Sequence, residues 1–379
     1  MWSALNHSKK RSVPQKRNPS PLAQLREQID RIDTQVLTLL NRRARLVTRI
    51  GHLKNRSQAN VYVPSRERQI FARLAELNSG PLSNDAIRAI YREIISASRA
   101  LEQPLRVAYF GPEASYTHMA AREQFGSQAV FVPAATIPQI FTDIERGQAD
   151  HGVVPVENSS EGSVAITLDS FVESSLHIIS EVSLEIRHCL LSRASQREQV
   201  KRVLAHPQAL AQCRRWLAVH LPGVPAEEAA SNARAAELAA ADPQVAAIAS
   251  RLAAEHYKLN VLAANIQDQA ANFTRFAVLS REPQLGQPSG HDTTSLLLSV
   301  HDEVGALYHA LKPFADNAIS LLRIESRPLR GRPWEYLFFI DVAGHLSDEP
   351  IARALQEIRP LCPLVKVLGS YVTATHTPR

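Results

Sequence analysis

From Leu22 onward, apolar residues recur at intervals of three and four: Leu22, Leu25, Ile29, Ile32, Val36, Leu39, then Leu46, Ile50 and Leu53. That heptad seam predicts one long helix of about 30 residues, or about 50 Å at about 1.5 Å per residue. A helix of that length exceeds what a lone small bundle can cover, so the pattern predicts an interlocked dimer. A second helix is expected after Pro64, with Arg66 and Glu67 in its opening turns. Ser83, Asn84 or Asp85 caps a third, whose stripe Ile87, Ile90, Tyr91, Ile94, Ile95 runs on into Ser98 and Glu102.

The texture then changes. From Leu105, short apolar runs alternate with helical patterns: 105–110, 129–133 and 151–157, then RVLAHPQ, AAIAS and FTRFAVLS. Several runs end in Gly- or Ser-rich loops, which predicts a mostly parallel sheet with ligands at its carboxyl edge. Arg281 to His291 is rich in Pro and Gly and reads as a linker. Beyond it, the pattern βαββαβ is the ferredoxin-like order. The expected division is a tail at 1–20, a helical domain at 21–103, an α/β domain at 105–282 and a small α+β domain at 293–375.

Composition narrows the function classes. The chain has 379 residues, 45% hydrophobic and 21% charged, which is a globular composition. Its net charge is +6, yet five cations and no acid stand in the first twenty residues, so the remainder carries only +1. This favours a solvated basic tail over a nucleic-acid-binding face; a transit peptide is the other reading of that tail. No apolar run approaches the roughly 18–20 residues of a membrane span, and no secretory signal is recognisable. Cys189, Cys213 and Cys362 are widely spaced and fit reduced thiols of a cytoplasmic protein. HExxH, GxGxxG and GxxxxGK[ST] are absent, so neither metal nor other cofactor is expected.

Three charged positions break the apolar pattern. Arg43 occupies a seam position, and a buried guanidinium needs an anion. Either a carboxylate of a neighbouring helix supplies it, or Arg43 faces a cavity for an anionic ligand. Lys54 lies within roughly 20° of the same helical face. Glu102 ends the third helix, where the dipole disfavours a carboxylate, so it is either solvated or held protonated. Arg275 stands inside the apolar run 273–279 and again needs an anion, structural or ligand-borne.

The segment LAQLREQIDRIDTQVLTLLNRRARLVTRIGHLK, followed by VYVPSRER and the third helix, resembles the all-helical chorismate mutases. The resemblance implies an intertwined dimer that binds a dicarboxylate among cations. It implies Arg26, Arg43 and Arg66 on the substrate carboxylates, Lys54 at the ether oxygen, Glu67 on a hydroxyl, and Ser98 and Glu102 in the pocket. Arg26 lies about 100° around the helix from Arg43, so it can serve only the partner's pocket. The reaction is a Claisen rearrangement that needs positioning and charge stabilisation, with no proton transfer. Val63 and Glu102 depart from residues common in the family. A glutamate at 102 can donate to the ether oxygen only when protonated.

GPEASYTHMAA, GVVPVENSSEGSV, HPQALAQC and NFTRF, in that order, resemble the prephenate dehydratases. This implies two α/β subdomains around a cleft, like periplasmic binding proteins, and conversion of prephenate to phenylpyruvate with loss of carbon dioxide and the ring hydroxyl. Implied roles are Thr274 at the leaving hydroxyl, Arg275 on a carboxylate, and Glu157, Asn158 and Gln212 in the cleft. Ala205 stands where the family usually has Ser. EVGALYHAL and IESRP resemble the ACT domain of dehydratases, implying a site for the effector L-phenylalanine formed by Gly305, Ala306 and Leu307 with Glu325, Ser326, Arg327 and Pro328 at a dimer interface. The competing readings are a one-component transcription regulator and an amino-acid sensor with decayed enzyme sites. The first lacks a short helix-turn-helix; the second rests on Ala205 and Val63.

Overall fold

The computed structural model describes residues 20–57, 62–269, 271–328 and 336–374. The basic tail, apart from Ser20, lies outside the described residues.

Helix α1 (Pro21–Ser57) opens with Pro at its first position, where a missing N–H costs nothing, and Ser20 Oγ accepts the Ala23 amide. No helix breaker interrupts it for 37 residues, roughly 55 Å. Helices α2 (Pro64–Leu77) and α3 (Asn84–Glu102) follow, the latter capped by Ser83. Within the chain α1 packs on α3 using Leu40, Ala44, Val47 and Gly51. The seam aliphatics from Leu22 to Leu53 are left between 47% and 65% exposed, an apolar stripe uncovered along the whole helix.

The next region runs β1 (Arg106–Phe110), α4 (Tyr116–Phe125), β2 (Val130–Ala134), α5 (Ile137–Glu145), β3 (His151–Asn158), β4 (Gly162–Ser163), α6 (Ala165–Glu173) and β5 (His177–Glu185). It continues through β6 (Cys189–Ser192), β7 (Arg202–Ala205), α7 (Pro207–Gln212), α8 (Arg214–His220), β8 (Ala226–Glu228), α9 (Asn232–Ala241), β9 (Val245–Ala249), α10 (Arg251–Tyr257), β10 (Asn260–Ala264) and β11 (Phe273–Ser280). Two sheets result: β2-β1-β3-β11-β5, with β4 beside β3, and β10-β6-β9-β7-β8. Parallel strands form half of each; β11, β5, β6 and β10 pair antiparallel, so the sheets are more mixed than the run of apolar segments predicts. Strands returning from one sheet to the other force this: the chain crosses once between β5 and β6 and again between β10 and β11.

The last region is β12 (Asp292–Ser299), α11 (Ala306–Asp316), β13 (Leu321–Pro328), β14 (Tyr336–Ala343), α12 (Glu349–Ile358) and β15 (Leu364–Val372), a four-stranded antiparallel sheet in the order β13-β14-β12-β15. One face carries α11 and α12 over Leu296, Ile340, Phe314 and Leu355. The other face packs Leu297, Phe339, Leu368 and Tyr371 into the core of the first α/β sheet. The backbones meet so closely that a Cβ on Gly369 would lie 2.1 Å from the Ile178 carbonyl oxygen.

The helical domain is also seated on that first sheet. Tyr62, 1% exposed, packs against Phe125 and His151, and Arg99 Nη2 donates to the Phe125 carbonyl at 2.7 Å. No described helix is long and apolar enough to cross a membrane.

Candidate functional site

A cleft lies between the two α/β sheets where strand ends and crossovers converge. Its two sides touch at Ser250, the cap of α10, whose hydroxyl donates to the Ala114 carbonyl across the gap. The crossovers hold His188 and Asn272, both almost fully buried.

One hydrogen-bond chain spans this cleft, and a backbone group sets its direction. The Ser160 N–H donates to Asn158 Oδ1 at 3.0 Å. An amide N–H can only donate, so the Asn158 carboxamide has one orientation. Its NH2 donates to Thr274 Oγ1 at 2.8 Å and to Asn272 Oδ1 at 2.9 Å. Asn272 Nδ2 then donates to Gln212 Oε1 at 3.0 Å. That oxygen must also accept from His188 Nε2, 2.9 Å away. Burial lowers the His188 pKa against the opposing Gln212 bond, so the ring is neutral with its proton on Nε2. Its bare Nδ1 lies 2.9 Å from the Tyr116 hydroxyl, whose single proton is shared between that nitrogen and the Arg187 carbonyl, also at 2.9 Å.

Two donors are left over. Thr274 Oγ1 is occupied as an acceptor, and among the described residues nothing takes its proton. Gln212 Nε2 is buried without a partner. The structure thus joins the sequence candidates Asn158, Gln212 and Thr274 through Asn272, His188 and Tyr116, which the sequence did not single out. The last three carry no periodic signal; two sit in crossovers.

Glu157 and Arg275 are placed apart from the other candidates. Side chains alternate across a strand, and the register pairs Thr274 with Asn158 and Arg275 with Glu157. The first pair faces the cleft; the second faces the C-terminal domain. There the Arg275 guanidinium meets Glu181 at 2.5 Å, Glu157 at 2.9 Å and Asp341 at 3.3 Å. A guanidinium held by three carboxylates on the far face does not anchor a ligand in the cleft. Ala205, fully buried at the end of β7, presents no hydroxyl there.

In the helical domain, Arg43 Nη1 donates to Ser98 Oγ at 2.7 Å, and Ser98 Oγ donates to the Ile94 carbonyl at 2.6 Å. No acid lies within ion-pair distance of Arg43 among the described residues. Burial lowers its pKa, and Tyr91 and Glu67 partly compensate. Glu67 instead contacts Arg99 Nη1 at 3.2 Å, an ionic contact without good hydrogen-bond alignment. Burial raises the Glu67 pKa, with Arg99 and Arg43 opposing. Arg99 is a fourth residue that the sequence did not single out. Glu102 rests on Gly51: a Cβ there would sit 2.5 Å from Glu102 Cγ. Glu102 Oε1 is buried with no partner. Arg26 and Arg66 are exposed, and Arg66 Nη1 donates to Gln69 Oε1 at 3.3 Å. Lys54 stands one turn beyond Gly51; its side chain lies outside the described residues.

The proposed effector residues divide. Gly305 caps α11 at φ +82°, with Ala306 and Leu307 half-buried in its first turn. On edge strand β13, Ser326 and Pro328 face outward beside exposed Leu322 and Ile324. Glu325 and Arg327 alternate to the other side, and Arg327 pairs with Asp169 of α6 at 3.1 Å. Arg327 thus ties β13 to α6.

The chain matches family models for chorismate mutase type II over 25–103, prephenate dehydratase over 107–284 and the ACT domain over 294–360. It is 46% identical to a bifunctional chorismate mutase/prephenate dehydratase of Aquifex aeolicus over 93% of this chain and 98% of that one. It is 42% identical to the protein of the same description from Stutzerimonas stutzeri, with the same coverage. Among solved structures, a prephenate dehydratase from Arthrobacter aurescens in complex with L-Phe is 35% identical, with a TM-score of 0.67 over 73% of this chain and 92% of that chain.

Proposed function

Because the chain belongs to the bifunctional chorismate mutase/prephenate dehydratase family, we propose that its two sites act in sequence, chorismate to prephenate and prephenate to phenylpyruvate, under feedback by phenylalanine. The observation that carries the reading is the polarity of the cleft chain, which ends on a threonine hydroxyl with an unused proton.

Dehydration of prephenate breaks the ring carbon–hydroxyl bond and the bond to the ring carboxylate. The bonding pair of the departing carboxylate becomes ring π density, carbon dioxide leaves, and the hydroxyl departs as water once a proton reaches it. Thr274 donates to that oxygen as a relay: the proton it passes on is replaced from solvent, so the net reaction takes up one proton and releases water and carbon dioxide. A hydroxyl is a weak acid, but the bond it accepts from Asn158 makes its proton more available. Aromatisation supplies the driving force, so modest acid assistance is enough. The unpaired Gln212 Nε2 offers a further donor to the substrate. The N-termini of α4 and α10 converge at Ala114 and Ser250, where the two α/β units meet.

In the mutase, Arg43 and Ser98 form one wall, and Glu67, oriented by Arg99, takes a substrate hydroxyl. Glu102, without a partner on Oε1, lines the position of the ether oxygen with Lys54. The open seam of α1 is covered by the same helix of a second copy. That brings the partner's Arg26 to the pocket and makes the mutase site a property of the dimer. A helix of 11 residues covers roughly 16 Å, which the returning strand repeats in about five residues. Residues 325–328 of β13 therefore come back level with Gly305, where phenylalanine binds, Ser326 and the start of α11 providing its polar contacts. Three unpaired, buried thiols suit a reducing cytoplasm.

The test measures both activities in one preparation. Thr274→Val lowers phenylpyruvate formation at least 100-fold with chorismate turnover unchanged, and Arg43→Ala does the reverse. Wild-type dehydration by the Thr274→Val protein overturns the assignment.

A further inference from the structure

The two dipeptides that form the cleft wall are gripped from behind by another domain. Asn158 and Thr274 face the cleft; their neighbours Glu157 and Arg275 point through the opposite face of the sheet. On one side β11 stays in register with β5 from Phe273 to Val278, but on the other the β3–β11 register shifts between Arg275 and Phe276, with Val156 of β3 as the extra residue. A bulge leaves backbone pairing incomplete on the β3 side, so side-chain ties there add to the ladder in setting how β3 and β11 twist past each other.

Those ties lead to β14. Arg275 Nη2 reaches Asp341 Oδ2 at 3.3 Å, while Asp341 Oδ1 accepts from Ser295 at 2.5 Å and Ser295 meets the Tyr371 hydroxyl at 2.8 Å. Arg323 closes the cluster, 3.8 Å from Glu157, 4.0 Å from Asp341, and donating to Ser163 at 2.7 Å. Glu181 and Asp341 side chains are 4% and 9% exposed, so these charges are poorly screened. A cavity of about 20 Å³ beside them has room for about one water. Three carboxylates face two guanidiniums, and Asp341 is the only one of the three carboxylates that comes from the C-terminal domain.

We infer that Asp341 is a positioning residue for the dehydratase reaction: through Arg275 it sets the twist of β11 and so the aim of the Thr274 hydroxyl. This rests on the reading of Thr274 given above. Asp341 never approaches the substrate; it acts at one remove, from a domain that otherwise reads as regulatory. Near-attack geometry is steep in distance, so a small rotation of Thr274 lowers turnover without weakening substrate binding.

The full-length protein is assayed as wild type, Asp341→Asn, Asp341→Glu and Thr274→Val. Asp341→Asn keeps the shape and the Ser295 bond but removes one of the three charges on Arg275, the only one supplied by the C-terminal domain. It is expected to lower the dehydratase kcat about 10-fold with KM within twofold, while mutase activity stays at the wild-type value as an internal measure of folding. Asp341→Glu restores at least a third of the lost rate. A wild-type kcat in Asp341→Asn, or parallel losses in both activities, overturns the inference. If Thr274→Val also retains dehydration, the reading of the cleft itself is at fault; if Thr274→Val is inactive and Asp341→Asn normal, the positioning role alone is wrong.

Discussion

Asn158 Nδ2 donates to Thr274 Oγ1 at 2.8 Å, and the donor is identified by the Ser160 backbone amide on the other end of the same carboxamide. The direction matters more than the contact. Asn158→Asp keeps the size and the Ser160 bond, but a carboxylate accepts where the amide donated. It then takes the Thr274 proton for itself. The expected result is a fall in dehydratase kcat of about 100-fold, with mutase activity unchanged. Phenylpyruvate absorbance against chorismate loss checks it, and an active Asn158→Asp protein refutes the assigned polarity.

Gly51 is the point of closest approach between α1 and Glu102. An added methyl would lie 2.5 Å from Cγ and 2.7 Å from Cδ of that side chain. Glu102 must swing out of the pocket or the helices must part. Gly51→Ala is therefore expected to lower mutase turnover at least 10-fold while dehydratase kinetics stay unchanged, although alanine is the better helix former. Equal mutase rates would show that Glu102 is not needed in that position.

The long helix, the strands and the ferredoxin-like order were legible because period and turn residues are local signals. Thr274, Asn158 and Gln212 were legible through motifs, and the structure joins them. What was not legible is what each charge faces. Alternation along β11 already puts Arg275 on the side opposite Thr274, but its partner Asp341 is 66 residues on, in another domain. The same holds for His188, tied to Tyr116 across 72 residues, and for Arg99, which reaches Phe125 across a domain boundary. A single sequence carries no distance information at that range.

The uncovered seam of α1 predicts its own test. Leu39, Leu46 and Ile50 are each at least half exposed, and burying the remaining half of such side chains against a second copy contributes about 1 kcal/mol apiece. Leu46→Lys with Ile50→Lys places two cations in that contact. Sedimentation is expected to show a shift toward monomer and the mutase rate to fall more than 10-fold, because Arg26 of the second copy is withdrawn. Dehydratase kinetics report whether the rest of the chain stays folded. An unshifted sedimentation profile refutes the interface.

Phenylalanine is expected to inhibit dehydration in the wild type. Gly305→Ala and Ser326→Ala are expected to raise the concentration for half-inhibition about 10-fold or more, each without altering the uninhibited rate. Gly305 holds φ +82°, which alanine adopts at a cost of about 1–2 kcal/mol, so the first turn of α11 shifts. Arg327→Ala is expected to act differently, because its partner is Asp169: stability falls, while any loss of inhibition follows from domain loosening. Inhibition curves for the three variants separate ligand contact from scaffold.

His151 makes the fold sensitive to acid in a defined window. The ring is 6% exposed, stacked on Phe125 at 5.6 Å and set edge-on to Tyr62 at 5.1 Å, where the helical domain meets the first sheet. Burial pushes its pKa down to about 4; the Leu279 carbonyl and Asp150 pull the other way, and Arg99 and Arg281 add to the depression. The unfolded chain takes up this proton near pH 6.5, the folded chain only near 4. Between those values the unfolded state binds more protons, so stability is complete above pH 6.5 and drains as pH falls. The loss from this one group is about 2 kcal/mol by pH 5, before most carboxylates titrate. His118, also lowered to about 4, acts in the same direction but is partly exposed and contributes less. His151→Phe keeps an aromatic ring against Phe125 and removes the proton site. Urea midpoints measured from pH 6.5 to 5.0 are expected to fall steeply in the wild type and at less than half that slope in His151→Phe. Parallel slopes would place the acid sensitivity elsewhere.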